Sequence, residues 1–236
     1  MKILAVDTSG PVAGVAVLRD GALAYEATAV NKMTHSVNMM PMVEEALNRS
    51  GITIEEIDLF AAVVGPGSFT GVRIGVSAVK GMAHGAGKPC IGVDALESLA
   101  AGLFGVDGVI CPIQDARAGQ VYGAAFRSGM PPVRLLPDMA EKLPDYLNKV
   151  LEVADENEKL FFLGDGVATY RQAIVDALGD RAVFAPAHCM GLRAASVALL
   201  ADARQEEAVD YLTLMPVYLR APQAERARAA KEAAKA

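Results

Sequence analysis

Residues 2–30, KILAVDTSGPVAGVAVLRDGALAYEATAV, carry the pattern that decides the fold. An apolar run over 3–7 ends in Asp7-Thr8-Ser9-Gly10-Pro11, so it reads as a buried strand followed by a turn. A second strand spans 12–18. Asp20-Gly21 is a hairpin turn pair, and 23–30 is the returning third strand. A helix is expected over 37–49, with Ser36 as N-cap, Gly51 past its end and Pro41 as a kink near its first turn. A strand over 59–64 runs into the loop Gly65-Pro66-Gly67-Ser68-Phe69-Thr70-Gly71. A long helix over 72–86 is stopped by Gly87-Lys88-Pro89, and a strand (90–93) and a helix (95–103) complete the unit. The order β-β-β-α-β-α-β-α is that of an α/β domain with a mixed sheet.

From 107 onward the plan repeats in looser form. Strands are expected at 109–114, 121–126, 160–163 and 182–184, and helices at 143–153, 168–178 and 192–204. The predicted architecture is therefore two α/β domains, each a mixed sheet with helices: 1–106, and a reduced copy over 107–221 that includes the long helix near 192–204. The tail, 222–236, is Ala, Lys, Arg and Glu apart from Pro222 and Gln223, and disorder or a solvated helix is expected there. Of the 236 residues 53% are hydrophobic, enough for a core. No apolar run approaches the roughly 20 residues of a membrane span. The apolar start is too short for a signal peptide. Cys90, Cys111 and Cys189 are isolated and read as reduced thiols. A soluble, cytoplasmic chain without membrane association is expected. The net charge of -6 argues against a chain that grips nucleic acid by itself.

Few stretches suggest chemistry. Asp7-Thr8-Ser9 is either a plain strand-ending turn or a phosphate-loop candidate, with Asp7 able to hold a metal through water. The Gly65–Gly71 loop lies between a strand and a helix, where an anion can bind. Its spacing fits neither a dinucleotide fingerprint nor a Walker loop, and sharp turning with close packing is the plainer reading. His35, His84 and His188 show no metal-ligand spacing with Cys189, and no nucleophile elbow is present. The long helix carries a small-residue stripe of Gly71, Gly75, Ala78, Met82 and Gly85, while the helix before it carries Met39, Met40, Met42 and Val43. Either the two helices simply pack together inside the domain, or Met39, Met40, Val43, Gly71, Gly75, Ala78 and Met82 form a partner interface.

Several blocks together resemble the bacterial TsaB (YeaZ) family. They are the Ile-Leu-Ala-Val-Asp-Thr-Ser start, His35-Ser36, Gly65 to Arg73, Asp115-Ala116-Arg117 with Val121-Tyr122, and Pro216-Val217-Tyr218-Leu219-Arg220. The resemblance covers residues 1 to about 221. It implies the two-domain actin/Hsp70/sugar-kinase (ASKHA) fold and an accessory role in making threonylcarbamoyladenosine in tRNA anticodon loops. It also implies a comparison with the catalytic sister subunit, TsaD, which shares the fold and binds its metal through a His-x-x-x-His pair. The matching positions here are Ala95 and Leu99, which cannot ligate a metal. The expectation is a non-catalytic scaffold that pairs with TsaD, works beside TsaE and TsaC-type enzymes, forms a homodimer when TsaD is absent, and meets tRNA only through the complex. No cofactor is required, with room for low-affinity ATP or ADP binding. The alternative is a nucleotide phosphotransferase or ATPase of the same fold, with phosphate sites at Asp7-Thr8-Ser9 and near Asp115 and an adenosine site near Gly164-Asp165-Gly166. A peptidase reading lacks both a zinc motif and a nucleophile.

Overall fold

A computed structural model describes residues 1–30 and 35–220. Strands β1 (Lys2–Asp7), β2 (Ala13–Arg19) and β3 (Ala22–Ala29) form an antiparallel meander. Asp20 and Gly21 both take positive φ at the first hairpin, as a two-residue turn matched to strand twist demands. Strands β4 (Leu59–Gly65) and β5 (Cys90–Asp94) join in parallel on the other side of β1, giving the order β3-β2-β1-β4-β5. Strand β1 is buried on both faces, and its side chains alternate between two cores. Leu4 and Val6 point to one cluster, Ile3 and Ala5 to the other. That is why the strand reads as a continuous apolar run without polar alternation.

Helices α1 (His35–Ser50) and α2 (Phe69–Ala86) cover the outer face of this sheet, over Leu4, Val6, Val15, Phe60 and Ala62. Pro41 lies inside α1 on its exposed side. Ser68 caps α2, its hydroxyl accepting from the Gly71 N–H at 3.3 Å, and Gly87 ends it in the left-handed region, a stop that glycine makes without steric cost.

The second half builds its own sheet from β6 (Val109–Arg117), β7 (Gln120–Arg127), β8 (Val133–Lys142), β9 (Leu160–Leu163) and β10 (Ala182–Phe184), in the order β10-β9-β6-β7-β8. Helices α4 (Leu143–Val153) and α5 (Gly166–Leu178) cover its outer face. This corrects the reading of a reduced second half: among the described residues both sheets have five strands in the same order. The missing strand in the sequence reading is β8, which contains Pro137. As an edge strand, β8 tolerates a residue that cannot donate to the ladder.

Helices α3 (Ala95–Ala101) and α6 (Ala194–Ala203) lie between the sheets. Helix α3 follows the first sheet in sequence yet also packs on β6 and β7, while α6 follows the second sheet and packs on β1 and β2. The helix that the sequence groups with the second half therefore lies on the first sheet. One inner core joins Ile3, Ala16 and Leu18 to Leu96, Ile110, Phe126, Val197 and Leu200. Arg193 ties the arrangement down, its Nε donating to Glu26 Oε1 on β3 at 3.1 Å, and the same oxygen accepts from the Ala195 N–H at 3.1 Å. After α6 the chain crosses back to the first sheet. Val209 pairs with Cys90, Leu214 is buried in the outer core, and the Val217 N–H donates to the Val64 carbonyl at 2.7 Å. The tail over 222–236 lies outside the described residues.

Candidate functional site

Two concave features stand out, one between the sheets and one on the outer surface. The inner cavity, of about 220 Å³, is lined by Asp7, Gly10, Pro11, Val12, Leu99, Gln114, Gly164, Asp165, Met190, Gly191 and Leu192. Asp7 reaches it from the end of β1 and Gln114 from β6, and Asp165 from the start of α5. Asp7 is only 1% exposed and Gln114 5%. The Ser9 N–H donates to Asp7 Oδ1 at 2.8 Å; among the described residues Asp7 Oδ2 and Gln114 Oε1 have no hydrogen-bond partner. Burial pushes the Asp7 carboxyl upward, against the hydrogen bond from Ser9 and the nearby His35. Asp165 is pushed up to about 6, first by burial, with the neighbouring Asp115 adding to it. Withdrawing a carboxylate from water penalises its charged form, and a second carboxylate penalises it further.

The residues singled out as a phosphate loop divide by direction. Asp7 lies nearly fully buried in the cavity wall, whereas the Thr8 hydroxyl donates to the Gly71 carbonyl at 2.7 Å. Ser9 packs under the glycine loop, its carbonyl accepting from the Ser68 N–H at 2.7 Å. The His35 Nε2 lies 2.8 Å from the Gly10 carbonyl, which can only accept, so Nε2 carries the proton. Sequence reading did not single out Gln114. Its signal was a polar residue closing the otherwise apolar run Val109 to Ile113 of a buried strand.

The outer feature is an apolar groove of about 530 Å³ between α1 and α2, lined by Met40, Ile54, Ala78, Gly81, Met82, Gly85 and Ala86. Met40 is 47% exposed. The interface expected from the sequence needs correction here. Met39, Val43, Gly71 and Gly75 are buried within the domain and do not form its surface. A Cβ at Gly75 would come 2.7 Å from Thr8 Oγ1, and one at Gly71 would fall inside the Thr8 carbonyl oxygen. Those two glycines let α2 approach the end of β1, which is internal packing. Of the expected residues, Met40, Ala78 and Met82 line the groove. Its other small residues, Gly81 and Gly85, have open space where a side chain would stand. The outward stripe is thus one helical face over from the inward one, a distinction that spacing alone leaves open on a helix apolar on two sides.

The sequence blocks that carry the family resemblance meet in space. Gly65, at φ +123°, makes room for the Val217 carbonyl. Phe69 stacks on Tyr218 with ring centroids 4.9 Å apart, and Arg73 donates from Nε to the Tyr218 hydroxyl at 2.7 Å while its guanidinium lies 3.9 Å over Phe69. Arg220 donates to the Ala116 carbonyl at 2.9 Å. Blocks more than a hundred residues apart therefore close around the start of α2. Ala95 and Leu99 sit buried on α3, and among the described residues no three His, Cys, Asp or Glu side chains group as metal ligands. Among the described residues no helix is long and apolar enough to cross a membrane.

Comparison with known proteins places these features. The family model described as TsaD, tRNA N6-adenosine threonylcarbamoyltransferase, matches residues 29–228. The tRNA threonylcarbamoyladenosine biosynthesis protein TsaB of Bacillus subtilis is 36% identical over 227 residues, covering 95% of this chain and 96% of that protein. The solved structure of YeaZ from Pseudomonas aeruginosa superposes with a TM-score of 0.74 at 26% identity, covering 92% of this chain and 99% of that one. At the level of fold alone, the ROK hexokinase of Thermus thermophilus superposes with a TM-score of 0.50 at 13% identity, covering 86% of this chain and all of that one. The two-sheet architecture is the actin/Hsp70/sugar-kinase type.

Proposed function

We propose that this chain, which belongs to the TsaB family of tRNA threonylcarbamoyladenosine biosynthesis proteins, acts there as a non-catalytic partner subunit that docks the catalytic subunit TsaD through the groove between α1 and α2. The observation that carries this reading is the groove itself. An exposed methionine and a row of small residues, Ala78, Gly81 and Gly85, form an apolar trough on a two-helix surface. Small residues let a partner helix come near, and methionine adapts to the surface that meets it. The family model of the transferase matches most of this chain, so the partner is expected to present a helix pair of the same design. Two such pairs make a four-helix bundle, a common closed arrangement. A second copy of this chain could supply the same pair, so homodimer and heterodimer compete for one surface.

The assignment of chemistry to the partner is supported by Ala95 and Leu99, which stand buried where the sister subunit's metal-binding histidines would fall. In this reading the chain needs no cofactor of its own, and tRNA is met through the complex, in keeping with the net charge of -6.

The test is Gly81→Leu together with Met40→Asp, both at exposed positions. Circular dichroism should report unchanged folding. Titration calorimetry with TsaD should show binding weakened ten-fold or more, about 1.4 kcal/mol or beyond. Full-strength binding by both folded variants would move the interface elsewhere. Reconstitution of the modification without TsaD should yield no product; product from this chain in that reaction would overturn its non-catalytic role.

A further inference from the structure

Arg127, Arg134, Arg193 and Arg204 are each paired with a carboxylate. Arg73, Arg117 and Arg220 form no ion pair among the described residues, and the C-terminal segment brings these three to one rim. Tyr218 packs beside Arg73 at the start of α2, and two residues on, Arg220 donates from Nη1 to the Ala116 carbonyl at 2.9 Å, next to Arg117. Arg73 is exposed and yet fixed. Its guanidinium lies 3.9 Å from the Phe69 ring centroid and 5.7 Å from that of Tyr218, and its Nε donates to the Tyr218 hydroxyl at 2.7 Å. Nη1 and Nη2 are left as an oriented pair of donors, with no partner among the described residues. A guanidinium held in advance loses less side-chain freedom when it binds an oxyanion. Arg117 is also exposed, on a pinned hairpin turn. Arg117, Ala118 and Gly119 all take positive φ, Asp115 Oδ1 accepts from the Arg117 N–H at 2.8 Å, and the Tyr170 hydroxyl lies 3.4 Å from the same oxygen.

We propose that the rim formed by Arg73, Arg117 and Arg220 binds the phosphate backbone of RNA. This rests on the proposed role of the chain in a tRNA-modifying complex, and adds a contact that the chain itself supplies. The planar fork of arginine matches two oxygens of one phosphate. An acidic peptide could use the same forks. The rim, however, also offers the Tyr218 ring, 40% exposed beside Arg73, and a nucleotide brings a base face for such a ring together with its phosphate. The net charge of -6 does not oppose this reading. An acidic body repels RNA over most of its surface, so a local basic rim orients the strand. Three phosphate contacts by themselves hold RNA weakly, in keeping with RNA being held by the complex as a whole.

The experiment measures binding of an unmodified tRNA transcript to the complex of this chain with TsaD, by fluorescence anisotropy from about 50 to 200 mM salt, where phosphate contacts are lost. Each phosphate contact contributes about 0.7–0.9 to the slope of log K against log salt. Arg73→Gln combined with Arg117→Gln should therefore flatten that slope by about 1.4–1.8 and weaken binding at low salt by about five-fold or more. Arg117→Gln alone leaves the Tyr218 contacts untouched and should flatten the slope by about half as much, so it carries the test if circular dichroism shows the double variant unfolded. Titration calorimetry should give both variants unchanged affinity for TsaD. An unchanged slope in folded variants would overturn the proposal. Loss of TsaD affinity with RNA binding kept would do the same, giving the rim to an acidic protein face. Should the chain and TsaD not associate, the docking reading falls by itself, and the same salt series on the chain alone decides. There, equal slopes for the wild type and the variants, or no binding at about 50 mM salt, would overturn the proposal.

Discussion

Replacing Gly71 by alanine tests the packing that joins α2 to the end of β1. Gly71 is the third residue of α2, and its added methyl group would overlap the Thr8 carbonyl oxygen and crowd Ser68. Both obstacles include backbone or short side chain, so no flexible tip can swing aside. The helix would have to back away from the β1 turn by an ångström or more. That displacement breaks the bond from the Thr8 hydroxyl to the Gly71 carbonyl, 2.7 Å long and buried. Overpacking of this kind costs about 1–3 kcal/mol, and a buried hydrogen bond lost without replacement adds about 1–3 kcal/mol. Alanine's helix preference returns less than about 1 kcal/mol at the first turn. The expected net loss is about 3 kcal/mol. Gly81→Ala on the same helix is the control, since nothing lies within 4 Å of its added Cβ. It should be neutral or stabilising by about 0.5–1 kcal/mol. Urea unfolding followed by far-ultraviolet circular dichroism measures both, from the shift in midpoint at constant slope. A Gly71→Ala loss below about 1 kcal/mol, or an equal loss for Gly81→Ala, would refute the assignment of inward and outward faces.

Three further outcomes follow from other contacts. Asp165, raised from 3.8 to about 6, keeps its proton in the folded state after the unfolded chain has lost it, so it destabilises increasingly from about pH 4 to 6 and fully above. At about 1.4 kcal/mol per pKa unit the penalty is capped near 3 kcal/mol; Asp165→Asn should therefore stabilise by about 1–2 kcal/mol at pH 7.5 and by nothing below pH 4, as denaturation across pH would show. Glu26→Ala removes the acceptor of both Arg193 and the Ala195 N–H, and thermal unfolding should report a loss of about 1.5–3 kcal/mol, the range for hydrogen bonds to a charged group. Tyr146→Phe leaves the Ala124 carbonyl without its 2.8 Å donor in a fully buried site, which should cost about 1–2 kcal/mol in urea titration.

Much of this molecule is legible in its residues because local chemistry is decisive there. The Asp20-Gly21 turn, the apolar runs of β1, β4 and β5 and the glycine stop at Gly87 dictate their own conformations, and the repeated order of elements announces two sheets of one plan. The quoted blocks identified the family, and Ala95 and Leu99 stand in the sequence itself. Two kinds of information were not local. Strand β8 is stable only because β7 supplies one ladder and the edge position forgives Pro137. The exchange of α3 and α6 between the sheets depends on which apolar face finds a neighbour, and both short helices carry Ala, Leu or Val on more than one side. The same ambiguity governed the surface of α2. Gly71 and Gly75 read like an opening for a partner, yet the end of β1 fills it, and Gly81 and Gly85 remain outside. The inner cavity is the clearest case. Asp7, Gln114 and Asp165 are scattered over more than 150 residues, and only the closing of one sheet over the other brings them to the wall of one cavity. Sequence determined what each segment could become, because propensity and turn chemistry act over a few residues; tertiary structure decided which faces were left open and which carboxylates lost their water, because burial belongs to the assembled chain.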